Sequence, residues 1–367
     1  MKLGDAVNLL PCHEIAWEQP SIANIKLVQR YSDAIDMIYI EKRLPPYLSD
    51  FSQVLLIHAI YRRTSEVLDE SRMRLSTWSP TSSIQAIATE PNRAQNWPPS
   101  STAASNWRNA ACDSLDVLNW AANSRAAESC WEEPIILYLH LSRLILLAPT
   151  AHFQTLAKFP SLHTLKWPHT IPSSQHHYEN SRSHVLQWAI RDQFKARLSV
   201  VHAGALLWHV RRFSTDSPIE PFSIYIATLL LWSYSVSTCP VSGPPAPARL
   251  NQSSQDEDVA PDDSDNETLW LRLDRPLDDE LVQTYIRVGS KMSAQLKGVG
   301  DICKRDAPLK ILKEGYKLLN GEKYARSPGN ANTINQGTPG KEIHCTWEMK
   351  RSYAATIKCL IDATGSL

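Results

Sequence analysis

Apolar residues recur at steps of three and four through the middle of the chain, from Phe194 to Val236. Phe194, Leu198, Val201, Ala205 and Trp208 form one row, and Ala203, Leu206, Val210 and Phe213 form a second beside it. A helix that is apolar along two rows belongs inside a domain, so the segment predicts a central helix. Gly204 leaves a notch in it where another backbone can come close. Arg211 and Arg212 fall in its last turn, where cations suit the carbonyl end. A short Ser-Thr-Asp-Ser-Pro turn follows, and Pro218 and Pro221 open a second helix that is apolar from Ile224 to Trp232. The pattern predicts an all-α fold: an irregular multi-helix bundle around a central buried helical hairpin (about 194–236), with disordered loops.

The flanking sequence supplies the shell. Ser49 caps a helix in which Phe51, Val54, Ile57, Tyr61 and Leu68 recur at helical spacing. Its other face, with Arg62, Arg63, Glu66, Asp69, Glu70 and Arg72, mixes both signs and reads as a solvated face. Trp107, Ala111, Leu115, Leu118 and Ala122 mark a further helix. Pro134 starts another that stops at Pro149, and Val185, Trp188 and Ala189 mark one beginning near Ser181. Asp278, Asp279 and Glu280 open a helix with a buried row of Leu281, Tyr285, Val288 and Met292, ended by Gly298 and Gly300. Short helices follow at 310–319 and about 346–360. Residues 76–105 and 159–179 lack periodicity and predict loops. No strand alternation and no internal repeat stands out.

These elements divide the chain into a partly helical N-terminal segment (1–48), a helical core (49–239), a flexible linker (240–267) and a C-terminal helical part of the same domain (268–362) with a loop insert at 320–343. The linker begins Pro-rich and becomes acidic, with too few bulky apolar side chains to pay for folding.

Composition narrows the class. Lys plus Arg equals Asp plus Glu at 38 each, so no global field draws in nucleic acid or anionic membrane. The apolar windows Ile135–Leu147 and Ile224–Trp232 fall short of the roughly 18 residues of a membrane span, and His140 and Arg143 interrupt the first. The opening MKLGDAVNLLPCHE has no long apolar run and is not read as a signal peptide. Seven scattered cysteines suggest buried thiols in a reducing compartment rather than a disulfide framework.

Candidate chemistry is sparse. A zinc finger needs two close cysteines and two close histidines to complete a tetrahedron; the Cys12/His13 and His344/Cys345 pairs do not supply it. His202 and His209 are seven residues apart on one helix, about 10 Å, too far to share an ion, and read as core histidines hydrogen-bonded to neighbours. His176 and His177 sit with Glu179 in a predicted loop as a surface cluster. Asp262, Asp263 and Asp265 resemble the aspartate-rich metal motif of helical terpene cyclases, yet lie in the polar linker rather than on a helix wall. No phosphate loop, nucleophile elbow or zinc-protease motif appears. Trp188, Trp208 and Trp232, on or beside the central hairpin, fill the core or line a cavity for a small apolar effector.

The central stretch carries a resemblance. HAGALLWHVRRFS followed by EPFSIYIATLLLWSYS resembles the fungal-specific transcription factor domain, the regulatory region found in fungal zinc-finger transcription factors. The subset with two-cysteine two-histidine fingers ahead of that region is the most similar. LPCHEIAWEQ, IHAIYRRTSEVLDESR, ARLSVVHAGALLWH, WLRLDRPLDDELVQTYIRVG and TWEMKRSYAATIKCL follow in the expected order, so the resemblance covers nearly the whole chain. It implies a nuclear role in RNA polymerase II transcription. It also implies contacts with co-regulators or a second copy, and a small-molecule effector as a further partner. Zinc and DNA contact would belong to a separate or missing upstream finger module, since this chain carries no finger and no six-cysteine cluster. No cofactor, catalysis or membrane contact is expected of the chain itself. The alternatives are a terpene-cyclase-like helical enzyme and an interaction module without DNA targeting.

Overall fold

The computed structural model describes residues 9–12, 18, 29–46, 48–73, 102–164, 172–239, 269–275, 279–289, 292–321 and 348–365. Among these the chain is all-α, with eleven α-helices and one small sheet. In order they are α1 (Tyr31–Asp36), continued by a π-helical turn (Met37–Glu41), α2 (Asp50–Met73), α3 (Thr102–Ser129), α4 (Pro134–Leu147), α5 (Thr150–Thr164), α6 (Pro172–Arg191), α7 (Gln193–Phe213) and α8 (Glu220–Thr238). After β1 (Trp270–Arg272) come α9 (Asp279–Val288), β2 (Ser293–Leu296), β3 (Gly300–Asp301), α10 (Ala307–Leu319) and α11 (Glu348–Gly365).

The predicted hairpin is α7 and α8, and it is buried as its pattern requires. On α8 the run from Ser223 to Leu231 is buried without a break. On α7 the row Ala203, Leu206, Val210 and Phe213 faces the core together with Ala196, Val200 and Leu207. In the other predicted row Val201 is buried, but Phe194 is exposed and Leu198, Ala205 and Trp208 are half-buried. Glu220 fastens the connecting turn, since its buried carboxylate accepts the Thr215 N–H at 2.8 Å and the Ser214 hydroxyl at 2.6 Å.

Two hydrophobic cores share one wall. The smaller gathers Leu10, α1, α2 and α3, and the larger gathers α5 to α8, the sheet, α10 and α11. Helix α4 separates them. Ile135, Ile136, Leu139 and Leu146 turn to the smaller core, whereas Leu137, Leu141 and Leu144 turn to the larger. Its buried faces explain why so apolar a helix lies inside a protein. Among the described residues no single helix is long and apolar enough to cross a membrane.

Several expectations shift. Ser49 does cap α2, accepting the Ser52 N–H at 3.1 Å. The buried face of α2, however, is Leu56, Ile57, Ala59 and Ile60, while Phe51 is exposed. Residues 159–179 hold the end of α5 and the start of α6, because Pro172 serves as a helix-opening residue and not as a loop marker. His176, His177 and Glu179 therefore lie on α6. Helix α3 starts at Thr102, inside the stretch expected to be a loop. Helix α9 ends at Val288; Gly298 and Gly300, at φ of 83° and 85°, instead turn the chain between β2 and β3. The predicted linker and the loop insert fall almost entirely outside the described residues.

The sheet was not anticipated, because strands of two to four residues are too short to show alternation. β1 runs parallel to β2, with α9 as the crossover that parallel strands need, and β2 pairs antiparallel with β3. Leu271, Leu273, Ala294 and Leu296 point into the larger core. Arg197 of α7, itself buried, caps α9 by donating to the carbonyls of Ile286 and Arg287 at 3.0 and 3.1 Å. Arg211 reaches Glu314 of α10 at 2.9 Å, and both side chains are almost wholly buried. Helices α9 and α10, which flank the sheet in sequence, are thus fastened to α7.

The notch at Gly204 is occupied by the backbone of Leu273, just beyond β1. A Cβ on residue 204 would lie 2.6 Å from the Leu273 carbonyl oxygen. Gly315 of α10 meets the Thr228 side chain of α8 in the same close manner. Helix propensity alone would make Gly204→Ala stabilising by about 1 kcal/mol. The backbone contact reverses that sign, and we expect a net loss of about 1–3 kcal/mol. Urea unfolding of the variant checks this; a raised midpoint would show that α7 is not held against Leu273.

Candidate functional site

The interface of α3, α4 and α7 holds a chain of polar groups, in which Arg143 is buried and Asp116, His140 and His202 are half-buried. Arg143 and His140 interrupt the apolar α4 run and stand one turn apart. His202 faces them from α7, and Asp116 from α3. Arg143 donates through Nη2 to Asp116 Oδ1 and through Nη1 to His202 Nε2, the latter at 3.2 Å. His202 Nδ1 lies 3.1 Å from His140 Nδ1.

This geometry fixes the protons. The guanidinium can only donate, so His202 Nε2 must carry a lone pair. Neutral His202 therefore carries its proton on Nδ1 and donates it to His140 Nδ1. His140 in turn is the Nε2–H tautomer. A proton added to either ring would break this order and place a second cation beside Arg143. Burial, then Arg143, pushes His140 down to about 3, and the same causes, with His140 added, hold His202 well below the usual histidine range. The pair is neutral near pH 7 and acts there as a hydrogen-bonded strut rather than as an acid–base couple.

Asp116 is half exposed, whereas only 10% of the Arg143 side chain is exposed. The chain thus runs from solvent into the interior. Cys112, one turn before Asp116, has its thiol raised by burial and is no activated nucleophile. One helical turn past Ala205, buried His209 bonds through Nδ1 to Glu132 Oε2 at 2.8 Å. As expected for core histidines, His202 and His209 engage separate neighbours. Their partners were not singled out from the sequence, although the interruption of an apolar helix by His140 and Arg143 was the available signal.

A second histidine group lies between α5 and α6. His152 Nδ1 is 3.1 Å from the Ser181 hydroxyl, and its ring stacks on buried His184 at 4.4 Å. Burial, then His184, pushes His152 down to about 4. Among the described residues no cluster of three or more His, Cys, Asp or Glu could hold a metal ion. Asp262, Asp263 and Asp265 lie outside the described residues.

The three tryptophans take different places. Trp188 is fully buried; its N–H donates to the Leu147 carbonyl at 3.0 Å and its ring meets Phe153 and Tyr234 edge-on. Trp208 is half-buried, with Phe213 at its edge and the Arg275 guanidinium over its face at 5.6 Å. Trp232 packs against the larger core, and its buried Nε1–H has no acceptor among the described groups.

Two predictions follow from the polar chain. The unfolded state binds protons near pH 6.5 while folded His140 and His202 do not, so stability is complete above that pH and falls as pH drops through the acid range, toward about 3 for His140. The sensitivity approaches about 1.4 kcal/mol per pH unit for each such histidine. Thermal midpoints at intervals between about pH 7.5 and 4.5 should show this, with a shallower slope in His202→Gln; an unchanged slope would contradict the assignment. Arg143→Met should cost about 1–3 kcal/mol at neutral pH by leaving His202 Nε2 without its donor, as urea unfolding can measure.

No protein-family model, curated protein or solved structure matches this chain.

Proposed function

We propose that this chain is the regulatory region of a fungal transcription factor, acting in RNA polymerase II transcription in the nucleus. The observation that carries the reading is the resemblance of HAGALLWHVRRFS and EPFSIYIATLLLWSYS, with its supporting segments in order, to the fungal-specific transcription factor domain. The all-α architecture agrees with that reading, because those two segments are α7 and α8, the buried hub. The two histidines within the first segment are His202 and His209, which join α7 to α4 and to Glu132. Zinc and direct DNA contact belong, on this reading, to a finger module outside the chain. The helical body contributes contacts with co-regulators or a second copy and restrains the attached module.

A small-molecule effector is a further element of the proposal, supported by Trp232. A buried N–H without an acceptor is costly, and a ligand carbonyl or hydroxyl could satisfy it.

Tethering provides the test. The chain fused to an unrelated bacterial DNA-binding domain, in a yeast reporter strain, should change transcription several-fold relative to that DNA-binding domain alone. It should also accumulate in the nucleus. Unchanged reporter output from a folded, nuclear fusion would refute the regulatory reading. For the effector, a metabolite panel should include compounds that raise the melting temperature of the wild type and not of Trp232→Phe; equal shifts in both would remove Trp232 from the site.

A further inference from the structure

Among the described residues no strand pairs with the outer side of β1. In the parallel pairing of β1 with β2, Ser293 N–H donates to the Leu269 carbonyl at 2.9 Å and Leu273 N–H to the Gln295 carbonyl at 2.8 Å. With Trp270 in register with Ser293 and Arg272 with Gln295, the odd-numbered residues 269, 271 and 273 turn their backbone groups toward β2. The N–H and C=O groups of Trp270 and Arg272 therefore point away from the sheet, and among the described residues no strand pairs with them there, since β1 is its outer member. An unprotected edge of this kind is a template for another strand.

The side chains beside that edge are also uncovered. Trp270 is 58% exposed and Leu269 56%. Leu271, between Trp270 and Arg272, is buried on the opposite face, so the outer face presents an indole and a guanidinium side by side. Asp274 holds the Arg272 guanidinium at 3.2 Å, and that arginine side chain is 49% exposed.

We propose that β1 is a self-association edge, at which two copies of this chain pair antiparallel about a two-fold axis through Leu271. The edge is self-complementary in that register. Trp270 of one copy and Arg272 of the other form a hydrogen-bonded pair, and the symmetric pair repeats it, giving about four backbone hydrogen bonds. Residues directly opposite share a face, so each exposed indole lies against the guanidinium of the other copy, an arrangement favoured by the ring quadrupole. The complementarity of Trp270 and Arg272 is what selects a second copy over an unrelated strand. A contact built on three-residue strands is small and belongs to the weak, transient class of interfaces. The inference does not rest on the transcriptional reading.

Sedimentation velocity on the whole chain, from about 5 to 500 μM, should show monomer passing to dimer over the micromolar range. Trp270→Pro removes an N–H on the open side and none of the bonds to β2, as an edge position allows. It should weaken dimerisation at least ten-fold while keeping the helical circular dichroism of the wild type. Hydrogen exchange on the unmodified chain supplies the independent reading: the Trp270 and Arg272 amides should become slower at high concentration. The proposal is overturned by a chain that stays monomeric throughout, by a dimer that leaves those two amides fast, or by a folded Trp270→Pro that dimerises like the wild type. Should that variant fail to fold, the exchange measurement decides alone.

Discussion

Helix α8 has no face that tolerates water over its central turns, and the larger core is arranged around that constraint. Nine consecutive residues, Ser223 to Leu231, are buried, so apolar neighbours must cover the helix on all sides. Helices α7 and α10 lie closest, and α4, α5, α6 and α11 complete the enclosure. Two of the polar residues within α8 find partners: the Thr228 hydroxyl donates to the Ile224 carbonyl, and the Ser235 hydroxyl donates to the Ile302 carbonyl beyond β3. Close packing on this hub requires small residues at the crossings. Gly315 lets α10 settle on Thr228, and Gly204 lets the end of β1 settle on α7.

The polar interactions at the margins of the hub share one logic. Each ties α7 to a different neighbour: Arg197 to α9, His202 to α4, His209 to Glu132, and Arg211 to α10. A buried ionic or hydrogen-bonded pair adds little net stability compared with an apolar pair of similar shape, but losing one partner is costly. Such contacts therefore fix which neighbour docks where more than they hold the protein folded. The neutral His140–His202 pair fits this role, because its proton order admits one arrangement of donors and acceptors.

Much of the helical framework was legible in the sequence because long apolar periodicity and capping residues act locally. Ser49, Pro134 and Pro221 mark helix starts by chemistry that needs no tertiary context. The notch at Gly204 was legible for the same reason, although not the identity of Leu273 as the backbone that fills it. What periodicity does not give is the direction in which a two-row helix turns. Phe194 and Phe51 are exposed because the faces opposite them met the core instead. The sheet was hidden by its short strands, and the polar chain by its dependence on contacts between helices, with His202 62 residues beyond His140. His140 and Arg143 were visible as interruptions, but Asp116 gave no hint of its partner.

As the hub of the larger core, the α7–α8 pair should be the most protected part of the molecule. Native-state hydrogen exchange tests this directly, by comparing the amides of Ile224–Trp232 with those of α2 and α3 in the smaller core. The α8 amides should exchange only through global unfolding and rank among the slowest in the chain. If they exchanged through a lower-energy opening while α2 and α3 stayed protected, the hairpin would not be the hub of this fold.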